Sequence, residues 1–520
     1  MKKIATALLS CALAAATLAG CAANAAQVPQ ESQEPHTAAL TATAAASVKS
    51  PKYVFLFIGD GMSYPQIQST SDYLGALKDA DYWQAQPSLD DNQGAILDGP
   101  EYLNFMNFEA AGSAVTYDSN SFAPDSASTA TSISTGHKTY SGSINVDETG
   151  TIEYETIAEQ LKAQKGWEIG VITSVNLNHA TPAAFYAHQA SRSSYYEIGL
   201  ELVESGFDYF AGGGLLKPTG SSGDQTDLYE LAQEAGYTVA KTHAEADAIG
   251  TNTEKAIIID EDLADSDAMA YELDRTDDMW ALADYVAKGI EVLDNDTGFF
   301  MMCEGGKIDW ACHANDAASS IHDTQALADA VQVAIDFAKE HADETLILVT
   351  GDHETGGLTI GFAGTDYDTY LDLLENQKIS FAKYDSDYVA AYKEKKASFE
   401  TVLADIETLF GLKTQGKEGD KLVLTEYEQS QLKAAYEKSI NGTAASQYEQ
   451  AEYVLYGTYE PLTVTITHIL NNKSGVSFTS YSHTGLPVPV LAEGAGAEVF
   501  NGYYDNTAIF SKLAEMLGVK

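Results

Sequence analysis

The chain has 520 residues, of which 76 are acidic and 29 are basic, so its formal net charge is −47. Such a negative surface argues against nucleic acid or an anionic membrane as a partner, because both carry charge of the same sign. It also repels anionic small molecules at long range, so a site for an anionic substrate needs local positive charge. The length fits one extended α/β domain that carries an insertion.

The pattern of residues 1–20 predicts a secretion signal peptide. Two lysines precede an apolar stretch, Ile4–Leu18, that is too short to span a bilayer comfortably. The small residues before Cys21 are similar to a bacterial lipobox, which predicts cleavage there and lipidation of Cys21. Residues 21–50 are then a flexible tether, and the protein is a periplasmic or cell-surface lipoprotein that meets the membrane only through its lipid. The alternative is an ordinary signal peptide cut a few residues later.

Three apolar runs in the chain each end in an acidic residue. The runs, with the acidic residue that follows each, are Tyr53–Ile58 with Asp60, Gly298–Cys303 with Glu304, and Thr345–Thr350 with Asp352. Continuous apolar runs of this length predict buried parallel strands. Ligands of open α/β sheets bind beyond the carboxyl ends of the strands. We therefore expect the three carboxylates to converge at one rim of one sheet.

Other predicted elements alternate between helix and strand from Tyr53 to about Gly361. In chain order they are a helix at Ser126–Thr135, a helix at Ile157–Lys165, a strand at Ile169–Thr173, a helix at Tyr195–Val203, a strand at Ala256–Ile259, and helices at Met279–Leu293 and Val331–Ala338. This alternation predicts an α/β fold with a doubly wound, mostly parallel sheet and helices on both faces. The catalytic core would cover residues 51–361.

Residues 362–460 break the alternation and are rich in Tyr, Lys, Glu and Gln. Helical segments are predicted around Asp387–Phe410 and Glu426–Ser439, so we interpret this region as an inserted, mainly helical subdomain. The core returns over residues 461–520. Its last elements are predicted as a strand at Val488–Leu491 and a helix near Thr507–Leu517.

Ser126 lies where a polar loop becomes the small-residue helix that Gly136 ends. Its hydroxyl would lie among free backbone N–H groups at a positive helix end, which suits a phosphate. The competing interpretation is that Asp125 and Ser126 simply cap a helix. Arg192 is one of few arginines in this acidic chain, and a guanidinium can hold two phosphate oxygens together.

Histidines accompany the carboxylates. Asp309 and His313 are four residues apart, so on a helical turn they share a face and could hold one metal ion, or form an ordinary ion pair. Asp352 and His353 follow a strand, where they could contact one ion or divide between two. Carboxylate and imidazole ligands suit zinc and magnesium. Cys303 and Cys312 flank two of the acidic residues, either as a disulfide or as free buried thiols.

These pieces together resemble the alkaline phosphatase family. The matching segments occur in the family's order and are Ile58–Met62, Asp125–Thr129, Ser134–Gly136, Ala180–Ala184, Ser191-Arg192, Glu304–Asp309, Asp352-His353 and His483–Gly485. Residues 362–460 resemble in position the lid or crown segments that some members carry near a dimer interface. Because members of the family are usually dimers, the resemblance implies a homodimer.

The resemblance implies the hydrolysis of phosphate monoesters to an alcohol and inorganic phosphate, with an alkaline pH optimum. Ser126 would form a phosphoserine intermediate and Arg192 would bind the non-reacting phosphate oxygens. The implied metal ligands are Asp309, His313 and His483 for one zinc; Asp60, Asp352, His353 and Ser126 for a second zinc; and Asp60, Thr181 and Glu304 for a magnesium.

Two residues near this implied site depart from the best-known bacterial members. His179 replaces an aspartate and Trp310 replaces a lysine, as in marine bacterial members that the chain resembles more closely. With Asp125, we expect both to lie beside the ligands. The lost carboxylate puts magnesium at the third site in doubt and leaves zinc or weak occupancy open.

Two other functions remain open. A phosphodiesterase or a sulfatase-like hydrolase shares the metal-rimmed sheet, although the chain has no Cys-x-Pro-x-Arg motif of sulfatases and has Ser126 where the diesterases usually have threonine. A non-catalytic, metal-binding lipoprotein would leave the presence of both Ser126 and Arg192 unexplained.

Overall fold

The computed structural model describes residues 50–84, 96–442 and 445–520. The predicted signal peptide, the lipidation site Cys21 and all but the last residue of the predicted tether lie outside the described residues. Within the described ranges, no helix combines the length and apolar character needed to cross a membrane.

A ten-stranded sheet forms the centre of the fold. Its strands are β1 (Tyr53–Gly59), β2 (Ala110–Val115), β3 (Glu168–Asn176), β4 (Tyr209–Gly213), β5 (Thr238–Ala240), β6 (Ala256–Ile259), β7 (Phe299–Gly305), β8 (Thr345–Gly351), β9 (Val488–Gly494) and β10 (Gly502–Asp505). The spatial order is β10-β2-β9-β8-β1-β7-β3-β4-β6-β5. Neighbouring strands run parallel except at β9, which is antiparallel to both β2 and β8. The predicted fold class is confirmed.

The helices occupy the connections between these strands, the region before β9 and the segment after β10. They are α1 (Tyr64–Lys78), α2 (Ser126–Thr135), α3 (Ile157–Lys165), α4 (Ala180–Ala183), α5 (Tyr195–Glu204), α6 (Leu228–Glu234), α7 (His243–Asp247), α8 (Leu282–Leu293), α9 (Lys307–His313), α10 (Ala317–Glu340), α11 (Phe381–Lys383), α12 (Ala390–Lys395), α13 (Phe399–Phe410), α14 (Glu426–Asn441), α15 (Gln450–Tyr456), α16 (Pro461–Ser474) and α17 (Thr507–Leu517). A π-helical turn, Tyr384–Val389, joins α11 to α12. Short 3₁₀ turns lie at Tyr82–Gln84, Asn104–Asn107, Asp265–Asp267, Glu272–Asp274, Leu371–Asn376, Ala445–Gln447 and Ala497–Phe500.

The central strands are buried on both faces because their side chains alternate between two hydrophobic cores. Along β1, Val54, Leu56 and Ile58 enter one core, whereas Phe55 and Phe57 enter the other. All five are fully buried. This arrangement explains why β1 reads as a continuous apolar run rather than an alternating one.

The carboxyl ends of β1, β7 and β8 lie side by side. Gly59 at the end of β1 pairs with Gly305 on one side and with Gly351 on the other. The acidic residues at or just beyond these ends are therefore brought to one rim of the sheet, as the apolar runs predicted. That rim is where the candidate site lies.

The described part of residues 362–460 is mainly helical, and it contributes to a third hydrophobic core. Tyr384, Val402 and Leu432 lie in this core together with Leu462 of α16 and Tyr73 of α1. The division of the chain at residues 361 and 461 stays a prediction, since the helices of this region share their core with elements on both sides of it.

Several predicted elements differ from the observed ones. The helical segment Asp387–Phe410 is interrupted at Lys396, whose φ of 51° ends α12, and α13 begins after Ser398, which caps it. The helix predicted at Val331–Ala338 is the end of the 24-residue α10. The helix predicted from Met279 begins three residues later. The helices α1, α6 and α7 and the strands β2, β4, β5 and β10 were not predicted, because their sequences lack a clear apolar period.

Candidate active site

Three buried carboxylates mark the rim of the sheet. Asp60 follows β1, Glu304 is the penultimate residue of β7, and Asp352 follows β8, and each is 0% exposed. Asp352 Oδ1 accepts hydrogen bonds from the backbone N–H groups of Gly61 at 3.1 Å and His353 at 2.9 Å, which fix its orientation. The carboxylates at the rim are therefore buried from solvent, and the orientation of Asp352 is fixed by the backbone.

One group of possible metal ligands joins α9 to a distant loop. Asp309 Oδ2 lies 3.3 Å from His313 Nε2, and His313 Nε2 lies 3.0 Å from His483 Nε2. The other ring nitrogen of each histidine faces a backbone carbonyl, at 2.7 Å from Tyr481 O and 2.5 Å from Pro124 O. Carbonyls accept only from N–H, so both Nδ1 atoms carry protons. In the neutral rings both Nε2 lone pairs then face Asp309, the arrangement of metal-binding histidines.

A second group surrounds the hydroxyl of Ser126. His353 Nε2 lies 3.2 Å from Asp60 Oδ1 and 3.4 Å from Asp352 Oδ2. Ser126 Oγ lies 3.1 Å from His353 Nε2 and 3.4 Å from Asp60 Oδ1. The rings of His353 and His483 stack with their centroids 3.7 Å apart, which connects this group to the first one.

A third group contains Asp60, His179 and Glu304, whose ligand atoms lie within 4.8 Å of one another. Thr181 Oγ1 is 3.5 Å from Asp60 Oδ2. Glu304 Oε2 accepts a hydrogen bond from Thr173, whereas Glu304 Oε1 and His179 Nδ1 are buried and have no hydrogen-bond partner in the part of the chain that the structure describes. The resemblance had implied Thr181 as the third ligand and had placed His179 only nearby.

Burial shapes the electrostatics of the acidic residues. It raises the pKa of Asp60 and of Asp352 well above the usual range, and it raises the pKa of Glu304 to about 7. Burial also disfavours the charge on Asp309, but the charge and hydrogen bond of His313, together with the neighbouring histidines His483 and His353, outweigh this effect and hold the pKa of Asp309 well below its usual range. Burying four carboxylates together is costly without compensating charge, so the rim favours cations.

The histidines of the site differ in their charge state. Burial opposes a charge on His313, but the Asp309 carboxylate outweighs this effect and raises the pKa of His313 to about 9. Burial and the neighbouring His353 lower the pKa of His483 to about 3, and burial with the charge of Arg192 lowers the pKa of His179 to about 3. Both rings are therefore neutral near pH 7. For His483, this is the state in which an imidazole binds a metal.

Ser126 begins α2, and Asp125 is the residue that caps this helix. Asp125 Oδ1 accepts from the backbone N–H groups of Ser128 at 3.1 Å and Gly142 at 2.9 Å. Its Oδ2 forms an ion pair with Arg192 Nη1 at 2.8 Å, and Arg192 Nη2 lies 3.2 Å from His179 Nε2. Asp125 is thus a helix cap, as the competing interpretation of this segment held, and it also orients Arg192.

A cavity of about 350 Å³ opens over these groups. Its lining residues are Ser126, His179, Arg192, Asp265, Ser266, Asp309, Trp310, His313, Phe381, Tyr459 and His483. Seven of these residues were predicted as site residues from the sequence, whereas Asp265, Ser266, Phe381 and Tyr459 were not. Phe381 and Tyr459 come from the region 362–460, and nothing in their local sequence indicates a functional site.

Cys303 and Cys312 are both buried and free, so the disulfide alternative does not hold in this structure. Cys303 lies within β7, whereas Cys312 Sγ lies 3.2 Å from Ser320 Oγ. Burial raises the pKa of the Cys303 thiol well above its usual value, so the group stays protonated. The two thiols act as small buried side chains.

Comparisons with known proteins agree with one another. The family model described as alkaline phosphatase matches residues 51–519. Alkaline phosphatase 4 of Bacillus subtilis (strain 168) is 30% identical over 465 residues, which cover 87% of this chain and 86% of the relative. The crystal structure of a cold-active alkaline phosphatase from a psychrophilic Shewanella species is 28% identical, covers 89% of this chain and 99% of its own, and has a TM-score of 0.68. A variant of the alkaline phosphatase from the Antarctic bacterium TAB5, with a histidine replaced by glutamate and Mg bound in its M3 site, is 26% identical over 91% of this chain and 99% of its own, with a TM-score of 0.59.

Proposed function

Because the chain belongs to the alkaline phosphatase family of hydrolases, we propose that it hydrolyses phosphate monoesters to an alcohol and inorganic phosphate through a phosphoserine at Ser126. The observation that carries the proposal is the position of Ser126 Oγ, 3.1 Å from His353 Nε2 and 3.4 Å from Asp60 Oδ1, in a cavity that Arg192 also lines. A hydroxyl, two groups of metal-ligand type and a phosphate-binding guanidinium then meet in one place.

Two zinc ions and a third cation would complete the site. One zinc would be held by Asp309, His313 and His483, and the other by Asp60, Asp352, His353 and Ser126. The donor set fits, because the imidazole nitrogens and buried carboxylates that meet in these two groups are the ligand types that zinc takes. When bound, such ions lower the pKa of a coordinated hydroxyl or water and neutralise charge on the phosphoryl group.

The third site would rest on Asp60, Glu304 and Thr181. A guanidinium only donates hydrogen bonds, so His179 Nε2 accepts from Arg192 and the neutral ring carries its proton on Nδ1. Because the protonated Nδ1 has no free lone pair, it cannot bind a metal ion. His179 would therefore bind a cation at this site only if its hydrogen bond with Arg192 were broken. The expected result is weak occupancy by magnesium or zinc. The magnesium in the TAB5 variant, where a carboxylate replaces a histidine, supports this interpretation.

The chain's own residues would act in two steps. Ser126 Oγ loses its proton and attacks phosphorus, the bond from phosphorus to the leaving oxygen breaks, and the departing alcohol takes a proton. Hydroxide then attacks the phosphoserine, the bond from phosphorus to Oγ breaks, and phosphate leaves. Arg192 binds the non-reacting phosphate oxygens with N–H groups that Asp125 and His179 do not occupy. Because the second step consumes hydroxide, activity would rise above neutral pH.

Assays of a monoester, a diester and a sulfate ester on the zinc- and magnesium-loaded protein test this proposal. We expect the monoester to be hydrolysed at least about a hundredfold faster than the other two, and we expect labelled phosphate to be trapped on Ser126 at low pH. Ser126→Ala should abolish the trapped label. Faster turnover of the diester or sulfate ester would favour the phosphodiesterase or sulfatase alternative, and no turnover of any ester would favour a binding protein.

The proposed location follows from the N-terminal sequence alone. Secretion across the inner membrane and lipidation at Cys21 would place the enzyme in the periplasm or at the cell surface, and the family's habit adds a homodimer. Mass spectrometry of the mature N-terminus tests the lipid, since an unmodified chain starting beyond Cys21 would contradict it.

A further inference from the structure

One part of the cavity lining has a chemistry distinct from that of the metal-ligand groups. It consists of three aromatic rings and one carboxylate, which we call the cation wall: Trp310, Phe381, Tyr459 and Asp265. Phe381 and Tyr459 pack edge to face, with centroids 6.0 Å apart at 80°. Neither the metal-ligand groups nor the phosphate-binding residues include a member of this wall, so the proposed reaction leaves its purpose unexplained.

The carboxylate of this wall is held in place by a buried lysine. Asp265 Oδ1 accepts from Lys307 Nζ at 2.6 Å, and the Asp265 side chain is 33% exposed whereas that of Lys307 is 0% exposed. The ammonium of Lys307 also lies 4.7 Å from the Trp310 ring and 4.1 Å from the Tyr271 ring. Lys307 therefore holds Asp265 and Trp310 in place. Asp265 lines the cavity, whereas Lys307 does not.

The backbone that carries Asp265 is strained. Ser266 and Asp267 have φ values of 57° and 58°, in the left-handed region that residues with a side chain seldom adopt. Asn176 Nδ2 donates to both of their carbonyl oxygens, at 2.8 and 3.1 Å, and thereby maintains this conformation. Conformations of this cost persist where the surrounding structure imposes them, and they cluster at binding sites.

We propose that the cation wall binds an ammonium group on the leaving alcohol of a phosphate monoester, while Ser126 and Arg192 hold its phosphate. Aromatic faces attract cations through the ring quadrupole. The Asp265 carboxylate, whose charge Lys307 partly compensates from the buried side, is 33% exposed and adds charge attraction on the cavity side. This inference rests on the proposed phosphatase function and names the substrate class of that same site.

The charge of the whole protein favours the same class. With a formal net charge of −47, the chain repels dianionic esters at long range. An ester that carries its own ammonium group has a lower net negative charge and is repelled less. An apolar leaving group would gain nothing from the Asp265 carboxylate, which also pairs with the buried Lys307, so substitution of Asp265 separates the two interpretations.

The test compares two esters of the same shape on the metal-loaded protein. Phosphocholine carries a quaternary nitrogen where 3,3-dimethylbutyl phosphate carries a neutral carbon. The measured quantity is the ratio of their kcat/KM values on one preparation, which does not depend on the fraction of active enzyme. The two alcohols differ in intrinsic reactivity, but this difference is the same for every variant, so the change in the ratio is decisive.

We expect Asp265→Asn to lower this ratio about tenfold and Phe381→Leu to lower it about threefold, in line with the attraction that each group supplies. The matched control is Asp262→Asn, which removes the same charge from an exposed position of the same loop and should leave the ratio unchanged. If Asp265→Asn fails to fold, Phe381→Leu tests the cation wall by itself.

Two outcomes would overturn the inference, and they are distinguishable. If p-nitrophenyl phosphate is hydrolysed and Ser126 is labelled, but the ratio is the same in the wild type and both variants, the cation wall does not bind ammonium and the proposed function survives. If no monoester is hydrolysed at all, the proposed function and the inference fall together.

Discussion

Replacement of Asp125 by asparagine separates the two roles that the structure gives this residue. Asparagine keeps a side-chain oxygen that accepts from Ser128 and Gly142, so the cap of α2 remains. It removes the negative charge that faces Arg192 Nη1 at 2.8 Å and puts an NH2 donor in its place. The Arg192 guanidinium then loses the partner that orients it toward the phosphate.

The size of the effect follows from the contact that is lost. The two side chains are only 25% and 20% exposed, so solvent screens the pair weakly. A hydrogen bond to a charged group contributes about 1.5–3 kcal/mol, and 1.4 kcal/mol corresponds to about a tenfold change. We therefore expect Asp125→Asn to lower kcat/KM for p-nitrophenyl phosphate by about 10- to 100-fold, with a smaller loss of stability than Asp125→Ala, which also removes the cap.

A double-mutant cycle tests whether the effect passes through Arg192. The assay measures kcat/KM for the wild type, Asp125→Asn, Arg192→Ala and the double variant, with urea unfolding as the measure of stability. We expect Asp125→Asn to change little once Arg192 is absent. An undiminished effect in the Arg192→Ala background, or an unchanged kcat/KM in the single variant, would refute the reasoning.

Three further predictions concern the other residues of the site. Trp310→Lys should lower the inhibition constant for inorganic phosphate by adding positive charge to the cavity, and an unchanged or higher constant would contradict this. In the chelated protein, burial raises the pKa of Glu304 from 4.5 to about 7. Between these pH values the folded state binds more protons than the unfolded state. The free energy of unfolding should therefore fall by up to about 3 kcal/mol as the pH rises through this window. Glu304→Gln should flatten that dependence in urea unfolding measured from pH 4 to 8, and an equally steep dependence in the variant would refute the assignment. His179→Asp should raise the magnesium content per chain of the purified protein at least severalfold, whereas unchanged metal content would show that His179 does not limit the third site.

Much of the site could be predicted because helix caps and apolar runs are local sequence patterns, and because the motifs occur in the same order as in the alkaline phosphatase family. The helix at Ser126–Thr135 was predicted with its observed bounds, since Asp125 caps it and Gly136 takes the left-handed conformation that ends it. The apolar runs predicted β1, β7 and β8 and the rim they share. The ligand sets came from the resemblance, and the structure brings their side chains into three groups.

The remaining features could not be predicted, because they depend on contacts between distant segments. Ala110–Val115 is made largely of small residues with no apolar period, and it is a strand because it pairs with β9 and β10. The α1 segment, Tyr64–Lys78, was likewise not predicted as a helix. The free state of Cys303 and Cys312 likewise depends on packing, which their spacing in the sequence does not reveal.

The sequence by itself determined that β1, β7 and β8 are buried strands, where the helix of Ser126 begins and ends, and which acidic residues follow these strands, since caps and apolar runs act within a few residues. Only the tertiary structure decided that His313 faces His483 across 170 residues and that Asp265, Phe381 and Tyr459 share one cavity wall. Which loops meet is set by strand pairing and by the packing of the third hydrophobic core. Those contacts join residues that are remote in sequence, so no short stretch of the chain encodes them.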